Sequence, residues 1–269
     1  MFQIKQNIIF DKILENFAMR TINDFFIPEN NVDCVSEEKY QQATPLICAL
    51  NAYARITYKS IYVIDYYKKN FLYVSDNPLF LCGLQPDKVR NMGYAFYFDY
   101  VPEEEVAMLV EINRAGFKFF SQTTVENRMK LSISCDFHIQ TAKKRLLINH
   151  KLTPIMLADN GNIWLAACLV SLSSHKEAGN IEARMMGEID YWTYSLEGRR
   201  WQRQGGILLN DREKDILILS SQGYTSDNIA DKLCIGVDTI KFDKRKIYNK
   251  LNADNISEAI SVATNYKML

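Results

Sequence analysis

The sequence predicts an α+β protein in three parts: a helical N-terminal segment, a central antiparallel β-sheet with flanking helices, and an all-α C-terminal domain of four short helices. Three observations carry this. Phe10, Ile13, Leu14 and Phe17 recur at helical spacing near the start. In "LSISCDFHI", Leu131, Ile133, Cys135, Phe137 and Ile139 alternate with Ser132, Ser134, Asp136 and His138. That period of two marks a strand with one buried face. From Ile207 onward, capping residues punctuate short apolar repeats.

Each element follows in turn. Ser36, Glu37 and Glu38 head "QQATPLICALNAYARI", a second capped helix, so residues 1–57 read as a helical segment. "SIYVIDYYKKNFLYVSD" holds two β-branched and aromatic runs flanking Lys68-Lys69-Asn70, a hairpin signal. Residues 77–92 and 103–115 read as helices. Pro102 with Glu103, Glu104 and Glu105 suits the start of the second, and Gly116 suits its stop. "RLLINHKLTPIMLADNGNIWLAACLVSL" gives two strands joined at Asp159-Asn160-Gly161-Asn162, where Asn and Gly both tolerate positive φ. The sheet domain therefore spans 58–175. Residues 176–206 read as a linker ending in a Gly205-Gly206 hinge. Within it Arg199, Arg200, Arg203 and Trp201 form a basic-aromatic cluster, better read as a contact strand than as a nucleic-acid contact.

Bulk properties exclude more than they assign. A chain of 269 residues with 48% hydrophobic and 24% charged residues is globular and long enough for two domains. Lys+Arg 32 against Asp+Glu 32 leaves net charge +0, so total charge nominates no partner. No apolar run approaches the roughly 18 residues of a membrane helix. The N-terminus mixes charges into its apolar residues, unlike a secretory signal, so a cytoplasmic protein without membrane contact is expected. Cys34, Cys48, Cys82, Cys135, Cys168 and Cys234 form no CxxC pair and read as buried reduced thiols. His138, His150 and His175 show neither metal-ligand spacing nor an evident acidic or nucleophilic partner. No metal, no cofactor and no catalysis is expected.

Residues 207–269 are denser in signal. Asn210 caps a first helix and Glu213 completes a capping box, with Ile216, Leu217 and Leu219 as core face and Gly223 as stop. Thr225 or Ser226 caps a second helix through Ile229, Ala230 and Leu233. A tight turn at 234–236 leads to a third, "VDTIKFDKRKIYNKL". Asn255 or Ser257 begins a fourth. A short helix, a tight turn and a basic helix follow helix-turn-helix logic, in which the basic helix enters the major groove. Residues 207–236 hold three Lys/Arg and five Asp/Glu, whereas 237–251 hold five and two. The positive charge sits on one helix.

On a helical wheel Ile240, Ile247 and Leu251 form that helix's core face. Asp238, Lys241, Phe242, Arg245 and Asn249 form one exposed strip, the candidate base-contacting set. Arg pairs bidentately with guanine, Asn with adenine, and an apolar ring packs on a thymine methyl. Lys244, Lys246 and Lys250, with Thr225 and Thr239, are the candidate phosphate contacts, which fix register without reading sequence.

This C-terminal segment closely resembles the LuxR-type (GerE/NarL-like) helix-turn-helix. The residues that carry the resemblance are Leu209, Arg212-Glu213, Leu217, Gly223, Ile229-Ala230, Leu233, Ile235, Thr239-Ile240-Lys241, Ile247-Tyr248, Lys250-Leu251, Asn255 and Glu258-Ala259. Five positions depart from the family pattern: Asn228 for Glu, Gly236 for Ser, Asp243 for His, Asn252 for Gly and Ile256 for Arg. Asp243 is expected to cost the recognition helix positive charge. The resemblance implies a transcriptional regulator that reads double-stranded DNA as a homodimer, with RNA polymerase a candidate partner. It also implies dimer contacts on the fourth helix through Ile256, Ala259, Ile260 and Ala263, some of which could instead pack inside the module.

Residues 58–175 resemble a PAS domain. "IYVIDYYKKNFLYVSDNPLFLCGL" is similar to that family's opening hairpin and following turn, "FDYVPEEEVAMLVEI" to its "hPeD" helix, and "DNGNIWLAACLVSL" to its closing hairpin. The resemblance implies ligand sensing or dimerisation. The flavin-photosensor motif is absent around Cys82, and the histidines sit on predicted strands rather than where a haem ligand is wanted. Tyr94, Phe96, Tyr97, Phe98 and Tyr100 either fill the core or line a pocket for a small organic ligand. The competing function is a protein-interaction adaptor that has lost DNA binding, motivated by Asp243 and the neutral module.

Overall fold

The computed structural model describes residues 21–141, 143–266 and 268–269. The helix read around Phe10 and Phe17 lies outside these described residues. The chain divides into two compact units between Gln204 and Gly205.

The first unit is built on an eight-stranded antiparallel sheet. Its strands are β1 (Ser60–Asp65), β2 (Asn70–Val74), β3 (Leu131–Gln140), β4 (Arg145–Leu157), β5 (Ile163–Leu172), β6 (Gly179–Met185), β7 (Tyr191–Ser195) and β8 (Arg200–Gln204). They lie in the order β2-β1-β5-β4-β3-β6-β7-β8. Helix α1 (Glu37–Arg55) precedes the sheet. Between β2 and β3 come α2 (Pro78–Leu81), α3 (Pro86–Met92), α4 (Ala95–Tyr100), α5 (Glu103–Ser121) and α6 (Val125–Arg128). Ser36 caps α1 by accepting from the Lys39 N–H, and Asn77 caps α2 in the same way from Leu79.

The two-residue alternation holds along β3, where Leu131, Cys135, Phe137 and Ile139 are buried. Register pairs Cys135 with His150 and Phe137 with Ile148. Asp136, on the supposedly wet side, is fully buried. Its carboxylate accepts from Asn149 Nδ2 at 2.7 Å and Asn180 Nδ2 at 3.0 Å, and it pairs with His175 Nδ1. Three partners make burial of a charge tolerable. His138 and His175 therefore do have acidic partners, since His138 Nδ1 also lies 2.7 Å from Glu105 Oε1. These pairs join residues remote in sequence, so spacing could not show them.

Four further expectations are corrected. Gly116 does not stop α5, which runs on to Ser121. A Cβ at Gly116 would sit 2.9 Å from Ile133 Cδ1, so the glycine lets the helix approach β3 closely. The β4–β5 turn is not the tight two-residue form, because only Gly161 has positive φ, at +78°. Ala158 N–H donates to Asn162 O and Gly161 N–H to Ala158 O, a three-residue loop with glycine at its left-handed position.

Residues 179–204 are not a linker but the strands β6, β7 and β8. Their aromatics pack instead of pointing to water. Phe119 of α5 lies 5.3 Å from the Trp192 ring and 5.0 Å from the Trp201 ring, and Trp201 Nε1 donates to Ala115 O. The cysteines divide: Cys135 and Cys168 are buried, but Cys34, Cys48 and Cys234 are exposed, against the expectation that all are buried.

Candidate functional site

The second unit holds four helices: α7 (Asp211–Ser221), α8 (Ser226–Leu233), α9 (Val237–Leu251) and α10 (Ile256–Asn265). Local chemistry sets each boundary. Asn210 and Glu213 form a reciprocal capping box at 2.8 and 2.9 Å. The Thr225 hydroxyl accepts from Asn228 N–H at 3.3 Å. Cys234 and Asn252 end α8 and α9 in the left-handed region, at φ 53° and 49°. Asn tolerates that conformation well. Asn255 caps α10 by accepting from Glu258 N–H at 3.0 Å. Ile216, Leu217, Ile229, Ile240, Ile247 and Ala259 are buried at the centre.

Helix α9 presents the strip expected of it. Asp238, Lys241, Phe242, Arg245 and Asn249 are all exposed. Phe242 is 55% exposed, a large apolar ring among charges. Lys246 Nζ lies 4.8 Å from that ring's centroid, a cation–π contact. Lys241 Nζ lies 3.6 Å from Asp238 Oδ1.

The candidate phosphate contacts separate into two groups. Lys246 is exposed, and half-buried Lys244 reaches Ser226 Oγ at 3.1 Å, beside the start of α8. Lys250 is committed inside the module: its ammonium donates to both Glu213 carboxylate oxygens, at 2.7 and 2.8 Å, and to Leu208 O at 3.3 Å. Burial raises the Glu213 pKa, but Lys250 and the Asn210 N–H outweigh it and hold the carboxyl below its ordinary value. The Thr225 hydroxyl is occupied as a cap, and Thr239 is half-buried.

One expectation about this unit changes. Asp243 does not take positive charge from the exposed face of α9. It is 3% exposed and shares the inward face with Ile240, Ile247 and Leu251. Arg212 Nε approaches its Oδ2 at 2.9 Å as an ion pair, although that oxygen has no aligned hydrogen bond. The signal was present in the 240, 243, 247 spacing, but the residue's charge hid it. On α10, Ala259 and Ala263 are fully buried in the module's own core, leaving Ile256 and Ile260 partly buried. The alanines pack inside the module, the alternative that the sequence left open for some of these four residues.

In the first unit, Tyr94 and Tyr97 line a cavity of about 90 Å³ together with residues of α5, β3 and β4. Phe96 is fully buried and fills the core, while Phe98 and Tyr100 are half-buried. Within the lining, Tyr97 Oη and His150 Nε2 both hydrogen-bond Tyr62 Oη, the latter at 2.7 Å. Burial alone lowers the His150 pKa to about 4, so its ring is neutral at pH 7. Among the described residues no helix is long and apolar enough to cross a membrane.

The C-terminal unit is a luxR-family helix-turn-helix domain: residues 208–263 match the family model GerE, bacterial regulatory proteins, luxR family. No curated protein sequence matches this chain. Several solved structures are loosely similar. A phage VqmA–DPO complex is 18% identical, with a TM-score of 0.31, covering 84% of this chain and 92% of that one. A Vibrio cholerae VqmA dimer without target DNA is 14% identical, with a TM-score of 0.33 and coverages of 82% and 88%. Escherichia coli SdiA is 14% identical, with a TM-score of 0.26 and coverages of 100% and 99%.

Proposed function

We propose that this protein is a cytoplasmic DNA-binding transcriptional regulator that acts as a homodimer. Its first unit, a PAS-like sensor, holds a small molecule in the cavity beside Tyr94, and α9 reads the major groove. The observation that carries this reading is the exposed strip of Lys241, Phe242 and Arg245 on a luxR-family domain. The geometry fits direct readout: Arg245 and Asn249 project from one face, where guanine and adenine edges would meet them. One such module buries little surface, so two half-sites about one helical turn apart supply the remaining affinity.

The adaptor reading drew its support from Asp243. With that carboxylate turned inward onto Arg212, the outward face keeps its positive charge, which favours DNA. Fluorescence anisotropy of the intact protein on genomic fragments at stated salt tests the proposal. Sequence-preferring binding is expected; uniform weak binding to all fragments would defeat it.

A further inference from the structure

Helix α1 packs one face against the sheet. Tyr40 Oη donates to Asp65 at 2.5 Å, its ring meets Trp164 edge-on, and Ala43 and Ala54 are buried. On the other side of the helix, Glu38, Gln41, Pro45, Cys48, Ala52 and Arg55 recur at steps of three and four, and all are exposed. Tyr53 and Ile56 border this seam, at 52% and 79% exposure.

The seam does not have the composition of a wet helix face, which ordinarily carries charge. Residues 40–54 hold no Lys, Arg, Asp or Glu, in a chain that is 24% charged. Helix α5 buries more of its residues and still carries Glu111, Arg114 and Lys118. Depletion of charge beside an exposed tyrosine marks the centre of a protein interface, with charges at its rim. The charges here return at the two ends of α1, as Glu37 and Glu38 at the start and Arg55 at the finish. A lipid surface fits poorly, because the exposed side holds Gln41, Gln42, Thr44 and Asn51 and no row of Lys or Arg for headgroups.

The charged ends identify the occupant. Turned end for end, the seam sets Glu38 against Arg55, Gln41 against Ala52 and Pro45 against Cys48. Both ends then hold an opposite-charge pair, the self-complementarity that a two-fold contact between identical chains needs. A parallel pair would instead set Glu38 against its own copy, and Arg55 likewise. We propose that the outward face of α1 docks against the same face of a second copy of this chain, with the two helices antiparallel. This names a surface for the homodimer read above and rests on that reading, but not on any DNA or small-molecule binding.

Sedimentation velocity of the intact protein and cross-linking through Cys48 test the surface. Cys48 lies close to the two-fold axis. In a Cys34→Ser, Cys234→Ser background a short bismaleimide should therefore join two copies, and a further Cys48→Ser should abolish the product. Ala52→Glu places a charge inside the contact and should weaken dimerisation about tenfold or more. Its circular dichroism should match wild type, because Glu suits an exposed helix position. Glu38→Arg or Arg55→Glu alone should weaken dimerisation about three- to tenfold, and the two together should restore it. A dimer that gives no Cys48 product and tolerates Ala52→Glu would overturn the surface and leave the homodimer reading standing. A double reversal no tighter than either single one would overturn the antiparallel pairing. A protein that is monomeric at every concentration would overturn both this proposal and the homodimer reading.

Discussion

Arg212 Nε lies 2.9 Å from Asp243 Oδ2, joining α7 to the inward face of α9. The next residue on α7, Glu213, holds Lys250 of α9 at 2.7 Å with the opposite polarity. The two α9 partners are separated by about two helical turns. Together they fix the register of the recognition helix: sliding α9 so that Lys250 replaced Asp243 would set two cations against each other.

The first prediction concerns this lock. Arg212→Ala leaves a buried carboxylate without its counter-charge. Because Arg212 is 52% exposed, solvent softens the loss, and about 1–3 kcal/mol is expected. Arg212→Ala combined with Asp243→Leu should recover most of that, since an apolar replacement of a buried pair is often neutral. Hydrogen exchange of the α9 amides in the intact chain measures both. Additive losses would show that the two residues do not interact.

Lys246 and Lys250 should behave differently despite sharing a helix and a charge. Lys246→Ala should weaken binding to all sequences alike and make the dependence of log affinity on log salt shallower by about one unit. Lys250→Met should leave that slope unchanged and lower the module's stability, because Glu213 loses its cation. Salt titrations on a single DNA, with a melting curve for each variant, separate the two outcomes.

Much of this was legible in the sequence. Asn210, Glu213, Thr225 and Asn255 announce their helices because capping is local chemistry, and the alternation in β3 follows from the pleat. Asp243 was weighed for its charge and not for its position, three residues from Ile240 and four from Ile247. Strands β6, β7 and β8 were missed because Gly187, Gly198 and a run of charges imitate a linker. Their alternation was nonetheless present, as buried Ile181 and Ala183 flank half-buried Glu182. The Glu105–His138 and Asp136–His175 pairs and the cavity needed the fold itself, since each joins segments distant in the chain.

Arg245 should carry sequence choice rather than bulk affinity. Arg245→Ala should narrow the gap between preferred and random DNA by about 1–3 kcal/mol, with little effect on melting because the residue is exposed. Competition binding against random duplex measures the gap. An unchanged ratio would remove Arg245 from the reading face.

The first unit should lose stability in mild acid. His150 titrates at about 4 in the fold against an ordinary value of 6.5, lowered by burial. The folded state therefore excludes a proton that the unfolded chain accepts. Stability from this source is complete above pH 6.5 and falls as pH drops toward 4, by about 3 kcal/mol in all. His150→Gln should flatten the decline in denaturant-unfolding free energy between pH 6.5 and 4.5. A variant that declines as steeply as wild type would mean another group governs the acid response.

The central claim, that the exposed face of α9 binds DNA, is tested most directly by the affinity of the intact protein for its preferred duplex across a range of salt. The account predicts a steep fall in log affinity with log salt, about 0.9 for each phosphate neutralised, together with discrimination against random DNA. An affinity indifferent to both salt and sequence would contradict it.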